Sequence, residues 1–225
     1  MCVNRIITKQ DYVIGDCLDV MQTYSDNYFD LILTDPPYGI GESNEKNMSR
    51  VTLAKPTNYG HYDWDDERLD KIYFNEMFRV SKNQIIFGGN YYIDHLKPTS
   101  CMIVWEKDNS GDFADCELAW TSFKTATRLF KYRWNGMLQG DMKNKEERVH
   151  PTQKPVPLFE WILTKYAKRG DKIFDPFCGS GTTLEACMNL DLDCLAVDIS
   201  DEWVDHYRKR LKSNNAKLTD NWGGQ

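Results

Sequence analysis

The chain has 225 residues, 41% of them hydrophobic and 28% charged, with a formal net charge of −6. Those values suit one soluble globular domain, 1–225, with a full core; they argue against a surface coated by nucleic acid, so any such contact must come from a local basic patch. Seven cysteines, an odd number with no Cys-x-x-Cys pair, argue against a disulfide framework or a zinc site. They suit a reducing cytoplasm, no metal is called for, and neither a membrane span nor a signal-peptide pattern is visible.

Tyr12 to Ile14 reads as a short strand leading into Gly15-Asp16-Cys17, and Leu18, Met21 and Tyr24 then mark one face of a short helix. Asp16 can cap that helix, and an acid at a strand's end can also accept hydrogen bonds from a ligand's amino or hydroxyl group. Phe29 to Leu33 is an apolar run of the kind found in buried parallel strands. It runs into Thr34-Asp35-Pro36-Pro37-Tyr38-Gly39, where two prolines forbid further strand pairing and stop a helix from starting. The result is a rigid turn just past a strand's carboxyl end, where open α/β sheets place ligands. A flat, amino-bearing ring could stack on Tyr38 while its amino hydrogens meet the Asp35 carboxylate and the Pro36 carbonyl. The plainer alternative is a proline turn with a satisfied aspartate.

Gly41 to Asp66 is polar and without periodicity, and reads as a long loop in which Tyr59, His61, Tyr62 and Trp64 either cover a ligand or pin the loop to the core. Leu69, Ile72, Tyr73, Met77 and Val80 follow helical spacing, with Asp65 and Asp66 suited to the helix start. Gln84 to Phe87 is the next strand, ending at Gly88-Gly89-Asn90, and Cys101 to Trp105 is a further buried strand. Phe113 to Phe123 reads as one strand of a hairpin at the sheet's edge.

Lys124 to Lys154 is the basic stretch, with eight cations against three acids and Phe130, Tyr132 and Trp134 interleaved. Cations for phosphates and aromatics for bases is the composition of a nucleic-acid surface, although a charge run alone is more often a solvated face. We therefore take 124–149 as a small basic insertion whose Lys124, Arg128, Lys131, Arg133, Lys143, Lys145 and Arg148 are candidate DNA-binding residues. His150-Pro151-Thr152-Gln153-Lys154-Pro155 leads into a helix with Phe159, Ile162, Leu163 and Tyr166 on one face and Gly170 at its C-cap. Lys172 to Phe174 is a strand that runs into Asp175-Pro176-Phe177-Cys178-Gly179-Ser180-Gly181-Thr182-Thr183 and then a helix carrying Leu184, Cys187 and Met188. Glycines at such a junction let backbone approach a ligand closely. No Lys follows the second Gly, so this is not a Walker loop, and Leu184 stands where a dinucleotide fingerprint needs a third Gly. Cys194 to Val197 is a strand ended by Asp198, placed to bind a ribose diol, and Ser200 can cap the last helix.

The Asp-Pro-Pro-Tyr turn and the later glycine loop together resemble the motifs of amino-group DNA methyltransferases that use S-adenosylmethionine, and their order resembles the permuted β-class. The resemblance covers nearly the whole chain. It implies a doubly wound, Rossmann-like α/β fold with a seven-stranded, mostly parallel sheet and one antiparallel strand. It implies catalysis by Asp35, Pro36, Pro37 and Tyr38 on a base flipped out of double-stranded DNA. It further implies a cofactor pocket of Asp16, Cys17, Asp35, Thr152, Lys154, Asp175, Phe177, Gly179, Gly181, Thr182, Thr183 and Asp198, with Thr152 and Lys154 at the cofactor's carboxylate. Aspartate first in the tetrapeptide resembles adenine-N6 enzymes. Cytosine-N4 methylation is the runner-up, and a catalytically silent DNA- or cofactor-binding partner subunit is the reading from another class. Cytosine carbon-5 chemistry is rejected, since the chain has no Pro-Cys pair to supply the thiolate. The stretch between the motifs is short for a recognition domain, which leaves specificity modest or shared across a homodimer.

Overall fold

The computed structural model describes residues 9–39, 68–108, 114–135, 138–146, 148 and 153–213. The expected ligand-covering loop and Thr152 lie outside them.

In chain order the elements are β1 (Gln10–Ile14), α1 (Cys17–Gln22), β2 (Phe29–Thr34), α2 (Lys71–Val80), β3 (Ser81–Phe87), β4 (Met102–Glu106), β5 (Cys116–Thr121) and β6 (Arg128–Lys131). There follow β7 (Trp134–Asn135), β8 (Leu138–Gln139), α3 (Val156–Tyr166), β9 (Lys172–Asp175), α4 (Thr182–Asn189), β10 (Asp193–Asp198) and α5 (Glu202–Ser213). Among the described residues, eight strands form one sheet in the order β1-β10-β9-β2-β3-β5-β4-β6, and β7 and β8 make a separate short hairpin. The apolar run in β2 alternates between two covered faces. Leu31 and Leu33 join the core beneath α3, α4 and α5, while Ile32 joins the core beneath α1 and α2. A strand covered on both faces has to be apolar throughout, which is the pattern seen in the sequence.

Chain direction across the sheet reverses between β9 and β2. From β2 the chain moves by way of α2 to β3, and from β9 by way of α4 to β10 on the other side. The two strands lie side by side and parallel, with Leu31 opposite Ile173 and Ile32 opposite Phe174. Their carboxyl ends therefore open on one crevice at the switch point of the doubly wound sheet.

Four expectations are corrected. The sheet has eight strands rather than seven, because the basic stretch contributes β6, which pairs in parallel with β4 from Ile103–Arg128 to Glu106–Lys131. β5 is the antiparallel strand, but it sits between β3 and β4 and not at the edge. Ala119 and Trp120 on it bury against opposite faces, which an interior strand allows. Helix α2 starts at Lys71, with Asp70 capping it by accepting from Ile72 N at 2.9 Å; Ile72 itself is exposed, and Phe74, Met77 and Val80 make the buried face. Helix α3 ends at Tyr166 with Ala167 as its C-cap, and Gly170 serves the following turn, at φ +88°.

Candidate active site

The seam between β2 and β9 is tied by side chains at its end. Thr34 Oγ1 donates to Asp175 Oδ1 at 2.7 Å, Thr183 Oγ1 donates to the other oxygen, and Phe177 N donates to Oδ1 at 3.2 Å. Asp175 is 3% exposed, and burial pushes its carboxyl up to about 7 against the pull of those three donors. It is the tie that fixes the early turn against the late loop.

Past Thr34 the prolines carry the chain out of the sheet, and the turn is held from three sides. Tyr92 OH donates to the Pro37 carbonyl. The Tyr38 ring lies against Gly88, where a Cβ would overlap the ring and where φ is +65°. It also stacks on Tyr91, at 4.8 Å between centroids and 19° between planes. Tyr38 OH and Lys154 Nζ both donate to the Asp35 carboxylate. Burial holds the Asp35 carboxyl above the usual carboxylate range, although Lys154 pulls it down; Glu117 adds to the rise.

The late loop turns through left-handed glycines. Gly179, at φ +48°, donates its N–H to Asp198 Oδ2 at 2.8 Å, and Tyr12 OH donates to its carbonyl at 3.2 Å. Gly181, at φ +82°, packs on Tyr207, where an added Cβ would lie 2.6 Å from the ring. Asp198 also accepts from Ser200 N at 3.0 Å, and burial raises its carboxyl. Asp16 caps α1 by accepting from Leu18 N at 2.8 Å.

These segments enclose one cavity of about 320 Å³. Of the residues expected to hold a cofactor, Asp16, Cys17, Asp35, Lys154, Asp175, Phe177, Gly179, Thr182, Thr183 and Asp198 line it. Gly181 does not; it lets the loop lie flat on Tyr207. Leu69, Tyr73, Phe159 and Ile199 line it too, unforeseen because apolar residues at helix starts and strand ends look like ordinary core. An apolar wall of Phe177, Tyr73 and Ile199 with the carboxylates Asp16, Asp198 and Asp35 suits a nucleoside bearing hydroxyls and a positive charge. S-adenosylmethionine fits that donor set, whereas a polyphosphate would meet like charge.

Lys154 lines the cavity with a side chain that is only 5% exposed, and its ammonium pairs with Asp35 and, at 3.1 Å, with Glu117 Oε2. Glu117 and Lys107, which pairs with Glu117, were missed because both sit in an unremarkable strand and its turn.

The basic stretch divides. Lys124, Arg128, Lys143 and Lys145 are exposed, and Arg148 is half-buried. Lys131 pairs with Glu106 at 2.7 Å and with Asp108 at 3.5 Å, and Arg133 pairs with Asp108 at 2.6 Å. Of the interleaved aromatics, Trp134 belongs to the core, and Phe130 and Tyr132, half-buried, pack against it. Trp134 is buried with its Nε1–H on the Gln153 carbonyl at 2.9 Å, and Phe130 packs between Tyr132 and Trp161.

Residues 104–209 match the family described as DNA methylase, N6_N4_Mtase. The type II methyltransferase M2.MboI of Moraxella bovis is 26% identical over 234 residues, covering 87% of this chain and 85% of its own. The type II methyltransferase M2.DpnII of Streptococcus pneumoniae is 25% identical over 246 residues, covering 92% and 91%. The crystal structure of the M1.HpyAVI–SAM complex overlays with a TM-score of 0.54 at 23% identity, over 90% of this chain and 99% of that one. The cytosine-N4-specific PvuII DNA methyltransferase overlays at 0.62 with 14% identity, over 93% and 88%. In its matched stretch and in its relatives this chain is similar to DNA methyltransferases of the N6/N4 type, and it shares their fold.

Proposed function

We propose that this chain methylates the N6 amine of adenine at specific sites in double-stranded DNA, with the target base flipped into the crevice. The observation that carries the reading is the seam. Because β2 and β9 are neighbours and Thr34 bonds Asp175, the Asp35 turn and the glycine loop line one cavity. Asp16 and Asp198 would hold the nucleoside end of S-adenosylmethionine, with Phe177 and Ile199 beside its ring.

The cofactor supplies an electrophilic methyl group on a sulfonium. The chain's own part is to make a poor nucleophile competent. The exocyclic amine of adenine has its lone pair delocalised into the ring; hydrogen bonds from that amine to Asp35 and the Pro36 carbonyl would localise it. With the methyl group moved from the sulfonium to that nitrogen, the amine's surplus proton would pass to the Asp35 carboxylate, whose raised proton affinity suits it to accept. Most of the acceleration would come from positioning and from fixed dipoles. The base has to leave the duplex to be reached, and Tyr38 offers a face to replace lost stacking, with Tyr91 standing on that face until the base arrives.

The preference for adenine rests on Asp35 as first residue of the tetrapeptide. Transfer of tritium from labelled cofactor to DNA, followed by nucleoside digestion, tests it. Label in N6-methyladenine is expected. Label in N4-methylcytosine would overturn the base assignment, and no label with cofactor bound would favour a silent partner subunit.

A further inference from the structure

Lys154 joins carboxylates from two distant elements, Asp35 after β2 and Glu117 on β5. Its Nζ lies 5.0 Å from the centre of the Phe87 ring and 5.8 Å from that of Tyr38, so little water reaches it. Glu117's other oxygen is taken by Lys107, whose Nζ lies 5.2 Å from the Trp105 ring. Two acids and two cations thus form a closed, neutral set. A buried ammonium that loses its counter-ion is costly. Methyl transfer as read above brings that loss about, because Asp35 shares its oxygens with the target amine and then takes the amine's proton, and with it loses its charge.

We propose that Glu117 is a positioning residue: it takes over Lys154 when Asp35 engages the amine, and so frees the catalytic carboxylate. The proposal rests on the methyl-transfer reading. Glu117 does not touch the reacting atoms; it acts through Lys154, and Lys107 fixes how much of Glu117 is available. The charges around it fit that division. Burial alone would push Glu117 up, but Lys154 and Lys107 outweigh it and hold the carboxyl down at about 2, so it stays ionised. Asp35 faces Lys154, Glu117, the Tyr38 hydroxyl and Asp175, and it is the carboxylate of the pair whose proton affinity is raised.

The test is single-turnover transfer of tritiated methyl to unmethylated DNA across pH, with cofactor affinity and Tm measured beside it, on wild type, Glu117→Gln, Glu117→Asp and Lys107→Met. In Glu117→Gln, Lys154 has Asp35 alone as partner, and the rate should fall about tenfold or more. Cofactor Kd should stay within about twofold. The acid limb should move to lower pH, because Glu117's repulsion on Asp35 is gone and Lys154 clings to it more fully. Glu117→Asp should recover part of the rate. Lys107→Met should move the limb the other way, since an unshared Glu117 draws Lys154 from Asp35. A Glu117→Gln rate within about twofold of wild type overturns the proposal, and so does a loss of rate that follows Tm with the limb unmoved. If Glu117→Gln does not fold, Lys107→Met decides: an upward limb supports the proposal and an unmoved limb overturns it. A wild type that transfers no label sinks the methyl-transfer reading and this proposal with it; an active wild type with an unaffected Glu117→Gln sinks the proposal alone.

Discussion

Asp35 shows how far a residue's chemistry depends on its neighbours. Two prolines fix its backbone, but its charge is set by burial, by Lys154 from far along the chain and by the Tyr38 hydroxyl. Asp35→Ala should leave cofactor binding largely intact and lower methyl transfer about 10²–10³-fold, read as single-turnover rate beside equilibrium dialysis. Full turnover in that variant would mean the reacting centre lies elsewhere. Gly88 is the other sensitive position. An alanine there meets the Tyr38 ring and keeps a left-handed φ of +65°. Gly88→Ala should cost about 1–3 kcal/mol of stability, seen as a lower denaturation midpoint, and should slow transfer by displacing Tyr38. The tetrapeptide is local and could be read from the sequence. Glu117, Lys107 and Tyr92 reach it only through folding, and nothing in their own segments marks them.

At the scale of elements, the seam between β2 and β9 depends on one acid. Asp175 titrates near 3.8 when unfolded and about 7 when folded, so the native state binds more protons across that interval. Its contribution is fully present below the unfolded value and is lost as pH rises through about 7. Wild-type Tm should therefore carry a downward component between about pH 4 and pH 7, and Asp175→Asn should flatten it. An equally steep profile in that variant would assign the slope to other groups. Strands covered on both faces, β2, β9 and β10, were legible as apolar runs. β6 was not, since four residues with Arg128, Leu129 and Lys131 exposed look like a solvated stretch until β4 is there to pair with them. β5 was legible as a strand but misplaced, because single-strand patterning says little about which neighbours a strand takes.

For the molecule as a whole, a net charge of −6 means that DNA, the substrate we propose, would have to be met by a localised surface. Exposed Lys124 and Arg128 near the β6 edge are the cations we assign to phosphates. Replacing both by glutamine should reduce the slope of log affinity against log salt by about 2. Lys131 and Arg133 should count for less, because each must first release Glu106 or Asp108. A salt slope that responds only to Lys131 and Arg133 would reverse that ranking.

The sheet order has one more consequence. Everything from β2 to β6 lies on one side of the β2–β9 seam, and β9 and β10 lie on the other, yet β1 crosses over to pair with β10 along Gln10–Ile14. A chain opened between β8 and α3 would yield two fragments, each holding half of the crevice. The first would carry, in β1, a hook for the second. Mixing the two should restore a working whole, whereas a first fragment shorn of β1 should recombine far more weakly.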